Sequence, residues 1–301
     1  MTDTLLSRVQ AFADAHAGVS SGAGAGAPTP IPGLTCIRAG APSELDYAIS
    51  RPVVCLVLQG GKQVTMGRNV YDFGAGESLL IMADVPTISQ IRQASPEAPY
   101  YSLVLDLDPA VIADLGAEMT GLPPPHGGPV RVEPTEREVA DTALRLMRLL
   151  DRPASVPVLQ AQLVREMHYW LLEGRHGAAI RRFGWPDGQA QRIARAVALL
   201  RSDYAQALPV ERLAAEAGMS LSSFHQHFRA ITSLSPLQFQ KQLRLIEARR
   251  AMLAEGLTAS EAAYAVGYES VPQFTREYGR LFGQPPGREI AAARARVQQS
   301  A

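Results

Sequence analysis

Residues 215–253 read AEAGMSLSSFHQHFRAITSLSPLQFQKQLRLIEARRAML, and residues 262–290 read AAYAVGYESVPQFTREYGRLFGQPPGREI. The two stretches repeat each other. Fifty residues separate Ser220 from Ser270, Phe224 from Phe274, Phe228 from Tyr278, Ile231 from Leu281 and Pro236 from Pro286. Upstream of each Ser the offset is 49, pairing Ala214 with Ala263 and Gly218 with Gly267, so the second turn is one residue longer. Each copy predicts a short helix, about 210–217 or 259–266, whose small Ala residues let a second helix approach closely. Gly218 or Gly267 ends it, because glycine takes the left-handed conformation of a C-cap without steric cost. Ser220 or Ser270 caps the next helix by accepting a backbone N–H. In that helix Phe224, Phe228 and Ile231, or Phe274, Tyr278 and Leu281, fall at i, i+4, i+7 and form the buried face. Two helices joined by a tight glycine-containing turn make a helix-turn-helix unit, here present twice.

The opposite faces follow from helix geometry. Ser222, His225, Gln226 and Arg229 share a face in the first copy. Pro272, Thr275, Arg276 and Gly279 do so in the second, with Val271 and Gln273 at its margin. Hydroxyls, amides, imidazole and guanidinium are the groups that recognise base edges and phosphates, although the same spacing also makes an ordinary solvated face. Arg276 suits bidentate pairing with guanine, and Gln226 or Gln273 with adenine. The connecting run 236–256 begins with Pro236 and stops at Gly256, and predicts a helix roughly 30 Å long. One turn of DNA is about 34 Å, so such a rod suits two recognition helices in successive major grooves. Its Lys241, Arg244, Arg249 and Arg250 are candidates for phosphate contact or for plain solvation.

The charge distribution points the same way. The 301 residues carry 29 basic and 29 acidic side chains, yet from Gly188 onward there are 14 Arg and Lys against 9 Asp and Glu. The basic C-terminal part suits a polyanion, and the earlier part is acidic by the same margin. Two cysteines, Cys36 and Cys55, make neither a disulfide framework nor a metal spacing, which predicts a reduced, cytoplasmic protein. No basic n-region with a long apolar run opens the chain, and no stretch reaches membrane-spanning length.

Upstream, residues 4–16 predict a short amphipathic helix and Ser20–Gly33 a small-residue linker. Strands are expected at 53–59, 62–66, 69–73, 78–82, 87–93 and 100–107, with glycine-rich turns, giving a small antiparallel barrel or sandwich. Helices are expected at 109–116, 134–151 and 156–174, the last with an apolar stripe of Leu159, Leu163, Met167 and Leu171 that covers the barrel or makes a dimer contact. The run 181–189 marks a domain boundary. The organisation is thus a helix and linker (1–33), a β-rich domain with a helical pair (34–178) and an all-α domain of two helix-turn-helix units joined by a long helix (188–295).

On the quoted residues the C-terminal part resembles the DNA-binding domain of the AraC/XylS family, over about 100 residues from near Gln191 to Ile290. The resemblance implies base contacts from Ser222, His225 and Gln226 in the first copy, and from Val271, Pro272, Gln273, Thr275 and Arg276 in the second. Ser222 is small and Pro272 has no side-chain donor, which weakens readout at those two places. Residues 51–108 resemble the N-terminal domain of AraC-type regulators, implying a cupin-like β-barrel. Cupin enzymes hold a metal with histidines, and residues 34–108 contain none, so no metal and no cofactor are expected. An organic effector in the interior is the alternative occupant, with Arg51, Gln59, Lys62, Tyr71, Arg92 and Tyr101, beside Tyr47, as the polar side chains near it.

The expected function is a sequence-specific transcription regulator, an activator, that is a homodimer, binds double-stranded promoter DNA, touches RNA polymerase and responds to a small organic effector. Two alternatives stand beside it: constitutive DNA binding with the barrel as a dimer platform, and a metal-independent cupin-type enzyme with a helical appendage. DNA alkyl-transfer repair needs a reactive cysteine, and Cys55 lies in an apolar strand where a thiol is inert.

Overall fold

The computed structural model describes residues 3–16, 25–119, 128–184 and 188–299. The chain divides into two compact units, residues 1–191 and 192–301.

In the first unit the strands are β1 (Ala25–Pro28), β2 (Leu34–Ala39), β3 (Asp46–Ser50), β4 (Val53–Gln59), β5 (Gly61–Met66), β6 (Asn69–Gly74), β7 (Glu77–Ile81), β8 (Val85–Gln93), β9 (Tyr100–Asp106) and β10 (Val130–Pro134). Among the described residues they form two antiparallel sheets, ordered β1-β2-β9-β4-β7-β10 and β3-β8-β5-β6. The arrangement is a sandwich rather than a closed barrel, because β6 pairs only with β5 and β10 only with β7. β1 occupies part of the stretch that reads as a linker, pairing Ala25–Pro28 with Arg38–Thr35. Residues 20–24 of that stretch lie outside the described residues.

The helices of this unit are α1 (Leu5–Ala15), α2 (Pro109–Glu118), α3 (Arg137–Leu149), α4 (Val156–Glu173) and α5 (Gly177–Gly184). α1 and α3 cover the outer face of the six-stranded sheet, where Cys36 Sγ meets Met147 Sδ at 3.9 Å. Strand β4 therefore has two covered faces. Val54 and Leu56 turn to one and Cys55 and Val57 to the other, and all four are buried. That is why VVCLVLQ is a continuous apolar run rather than an alternating one. Between the sheets Cys55, Val57, Val64, Met66, Phe73, Leu79, Ile81, Val85, Ile91 and Tyr100 pack as one core. In α4 the apolar stripe is split: Met167 and Leu171 are buried, whereas Leu159 and its neighbour Val158 are exposed.

Two histidines tie this helical layer down. His168 Nε2 accepts from the Asp108 N–H at 2.9 Å, and its Nδ1 faces the Val164 carbonyl. His176 shares a 2.8 Å hydrogen bond with Ser78 Oγ, and its Nδ1 has no partner among the described residues. Burial disfavours the imidazolium and lowers both pKa values, that of His176 to about 4.

The second unit is helical: α6 (Gln189–Ser202, beginning at the boundary), α7 (Val210–Glu216), α8 (Leu221–Thr232), α9 (Pro236–Ala254), α10 (Ala259–Ala265), α11 (Val271–Phe282) and α12 (Pro286–Gln299). Ser220 and Ser270 accept from the amides of Ser223 and Gln273, capping α8 and α11. Ser235 and Gln238 form a reciprocal capping box at the start of α9. Gly267, at φ +85°, lies so close to the Ala205 carbonyl oxygen that a Cβ would come within 1.9 Å of it.

Gly267→Ala lowers the stability of the second unit by more than about 2 kcal/mol, whereas Gly256→Ala, at φ +76° with open space around it, costs only about 1 kcal/mol. Denaturant unfolding of the two variants separates them. For His176 the folded pKa lies below the ordinary 6.5, so its contribution is intact above pH 6.5 and is lost as pH falls toward 4. The full loss is about 3 kcal/mol. Unfolding midpoints measured from neutral pH down toward the folded pKa show a smaller acid loss in His176→Gln than in the natural chain.

Candidate nucleic-acid interface

The two helix-turn-helix units are built on one helix. Near the start of α9, Phe239 packs edge-on against Phe228 of α8, at 5.6 Å between ring centroids. Farther along, Leu245, Ala248 and Met252 join Ala262, Ala263, Phe274 and Tyr278 in the core of the second copy. α9 thus buries different sides along its length. Its 19 residues span roughly 28 Å.

A polar clamp holds the same helix. Arg244 donates Nε to the Tyr204 carbonyl at 2.6 Å, Nη1 to Gly267 at 2.9 Å, and Nη2 to Ala205 and Gln206 at 3.1 and 2.9 Å. Gln240 Nε2 donates to Tyr204 and Gln206 as well, at 3.1 and 2.7 Å. Burial presses the Arg244 guanidinium below its usual pKa, and no carboxylate among the described residues bonds it directly. The loop before α7, the connector and the turn of the second copy are therefore one joint. Arg249 pairs with the buried Glu289, which also accepts from Tyr278 Oη. Arg250 pairs with Glu247 and Glu255, and Lys241 with Glu277. Each of the four cations that read as candidates for phosphate contact thus has an acceptor within the protein, Arg244 through four bonds and Lys241 and Arg250 in partly exposed ion pairs.

The recognition faces differ. In α8, Ser222, His225, Gln226 and Arg229 are exposed on the side opposite Phe224, Phe228 and Ile231. In α11, Pro272, Gln273 and Arg276 are exposed and Thr275 is half-buried. Val271 packs partly onto the core of its own copy. No described residue accepts or donates a hydrogen bond to the side chains of Ser222, Gln226, Arg229, Thr275 or Arg276. Gln273 Nε2 donates to Glu277 Oε1 at 3.1 Å. Arg280, one turn beyond Arg276, is also exposed without a protein acceptor among the described residues. Its i+4 relation to Arg276 was available in the sequence and marks it as a further cation of this face.

The side chains expected around an effector are not gathered at one place. Lys62 is the register partner of Phe73 and Ile91, and Tyr71 of Val64, which places both on the inner face of the four-stranded sheet. Arg92 is exposed and donates to Gln63, and Arg51 is exposed. Gln59 donates to the Pro99 carbonyl. Tyr101 lies on the outer face, donating to Asp14 of α1 at 2.9 Å. A separate cleft of about 400 Å³ opens outside the six-stranded sheet, between Ile31–Gly33, Asp106–Asp108 and Gln160–Val164. Among the described residues no three His, Cys, Asp or Glu side chains form a metal set, and no helix is long and apolar enough to cross a membrane. Burial pushes the Cys36 thiol up to about 12, which keeps it protonated and unreactive.

Tandem helix-turn-helix units with exposed polar faces define a DNA-binding domain. The helix-turn-helix family model matches residues 213–290, and that of the AraC-type transcriptional regulator N-terminus matches residues 30–179. The chain belongs to the AraC family of transcriptional regulators. It is similar to the virulence regulon transcriptional activator VirF of Yersinia enterocolitica, 26% identical over 47% of this chain and 52% of that one. It is also similar to the RCS-specific HTH-type transcriptional activator RclR of Escherichia coli (strain K12), 39% identical over 31% of each chain. The matches span about half and just under a third of these relatives' lengths. In fold it matches an apo form of ToxT from Vibrio cholerae that carries a single substitution, with a TM-score of 0.57 at 10% identity, covering 87% of this chain and 98% of that one.

The clamp makes a prediction. Arg244→Met removes four hydrogen bonds, leaves the Ala205 and Gly267 carbonyls without their side-chain donor, and lowers the stability of the second unit by about 2–4 kcal/mol. Arg244→Lys does not restore it, because an ammonium lacks the planar fork. A phosphate-binding role would instead leave the unfolding transition in place and reduce the salt dependence of DNA binding by about one phosphate.

Proposed function

We propose that the protein is an effector-responsive transcription activator that grips promoter duplex with α8 and α11 in successive major grooves. The observation that carries the reading is the pair of exposed polar faces, each free of protein partners at most of its positions, on helices that share one rigid connector. His225 and Gln226 contact bases from the first copy, and Gln273, Thr275 and Arg276 from the second. Ser222, Val271 and Pro272 add shape more than hydrogen bonds. Arg229 and Arg280 approach phosphates. The sign of regulation is supported by the relatives, both described as activators.

The effector part of the reading draws support from the ToxT fold, since a ToxT structure is described with unsaturated fatty acid bound. The first unit senses a small organic molecule, and its helical pair, with Val158 and Leu159 exposed on α4, forms the homodimer contact. RNA polymerase is the partner of the promoter-bound form. We read the chain as a regulator rather than an enzyme.

Selection from randomised duplex by the full chain tests the DNA contacts. Arg276→Ala costs about 1–3 kcal/mol at one base pair and relaxes the preference there. Arg229→Ala and Arg280→Ala weaken all duplexes alike, each reducing the salt slope by about one. If the natural chain prefers no sequence over random duplex, the reading is wrong. A melting temperature that rises with the concentration of a metabolite identifies an effector, whereas a flat response across an organic panel favours constitutive binding.

A further inference from the structure

Gln273 is exposed on α11, but its amide is not free to rotate. Its Nε2 donates to Glu277 Oε1 one helical turn on, at 3.1 Å. Glu277 is itself fixed from two other elements. Lys241 of the connector donates to the same Oε1 at 2.9 Å, and Tyr268, in the turn before α11, donates its hydroxyl to Oε2 at 2.8 Å. Tyr268 belongs to the buried core of the second copy, so the carboxylate is anchored to a rigid wall. Partial burial pushes the Glu277 carboxyl up, yet the hydrogen bonds from Lys241, Gln273 and Tyr268 outweigh it and hold the pKa below the usual range.

An ionised carboxylate only accepts hydrogen bonds. It therefore selects one of the two amide orientations, the one with Nε2 turned inward. One N–H is taken by Glu277. When the N–H engaged by Glu277 is the one anti to the carbonyl, the other N–H and Oε1 stay together on the remaining edge of the amide. That edge offers one donor beside one acceptor, which is the complement of adenine N7 and N6 in the major groove.

We infer that Glu277 is a specificity-positioning residue: with Lys241 and Tyr268 it locks the Gln273 amide in the orientation that reads adenine in the second half-site. The inference rests on the reading of α11 as a base-contacting helix. Without the carboxylate, the Lys241 ammonium attracts the opposite end of the amide, and the orientation is no longer unique. Glu277 touches no base in this scheme and acts through Gln273.

The test uses the full chain and the preferred duplex obtained by selection. Affinity is measured for that duplex and for duplexes with single base pairs changed. Gln273→Ala abolishes discrimination at one A·T pair, roughly tenfold. Glu277→Ala loses most of the discrimination at that same pair, and Gln273→Ala/Glu277→Ala is no worse there than Gln273→Ala. Discrimination at the pairs assigned to α8 is unchanged in Glu277→Ala, which also shows that the variant is folded. Should Glu277→Ala keep the discrimination that Gln273→Ala loses, the positioning role is overturned while base reading by Gln273 stands. A uniform loss of affinity for all duplexes, with discrimination intact, overturns it too and leaves Glu277 a support of the fold. If Gln273→Ala itself keeps every preference, base reading by Gln273 fails and this inference fails with it.

Discussion

The burial of α9 on different sides along its length is the constraint on which the C-terminal unit depends. A surface helix has one apolar stripe, and this helix has none, because it serves two cores in turn: Phe239 toward Phe228 and α8, then Leu245, Ala248 and Met252 toward α10 and α11. A connector anchored in this way cannot bend or rotate without opening a core. The spacing of the two recognition helices is thus set by packing rather than by a linker. Arg244 adds direction to that packing. Its guanidinium is partly withdrawn from water with no carboxylate bonded to it among the described residues, and four carbonyls compensate it. Those acceptors lie in the loop before α7 and in the Gly267 turn, so the fork is satisfied in only one arrangement of the three segments.

The first unit is organised by a different necessity. A sheet with apolar residues on both faces needs cover on both, and the second sheet and the α1/α3 layer supply it. The inter-sheet space is filled largely by side chains, Tyr100 and Phe73 among them. His168 of α4 binds the backbone just after β9, and His176, in the turn after α4, binds Ser78 of β7; both are neutral imidazoles, which makes the attachment of the helical layer sensitive to acid.

Much of the architecture could be read without coordinates. The fifty-residue repeat, the capping serines and the glycine turns located both helix-turn-helix units, because these signals are local and each has one structural use. Six strands were evident from apolar runs between turns. β1, β2, β3 and β10 were not. β1 is made of AGAP, which has no strand propensity and takes its form from pairing with β2. Sheet closure was equally invisible, since it depends on whether β6 and β10 find further partners. Among the candidate site residues, the exposed face of α8 followed directly from periodicity. The effector candidates did not converge, because a list of polar residues on strands says nothing of which face each one takes.

Sequence by itself determined which residue types line the faces of the two helix-turn-helix units and where their helices start and stop, because period 3.6, caps and left-handed glycines act within a few residues of themselves. Only the tertiary structure decided what each charge is for. Arg244, Lys241 and Arg276 are the same kind of side chain on the same kind of element. The first is enclosed by carbonyls of the Tyr204–Gln206 loop and the Gly267 turn, the second is held by a carboxylate on another helix, and the third has no partner among the described residues. A cation that the fold supplies with acceptors of its own is less available to another molecule, and those acceptors lie far away in the chain: Tyr204 is 40 residues from Arg244, and Glu277 is 36 from Lys241.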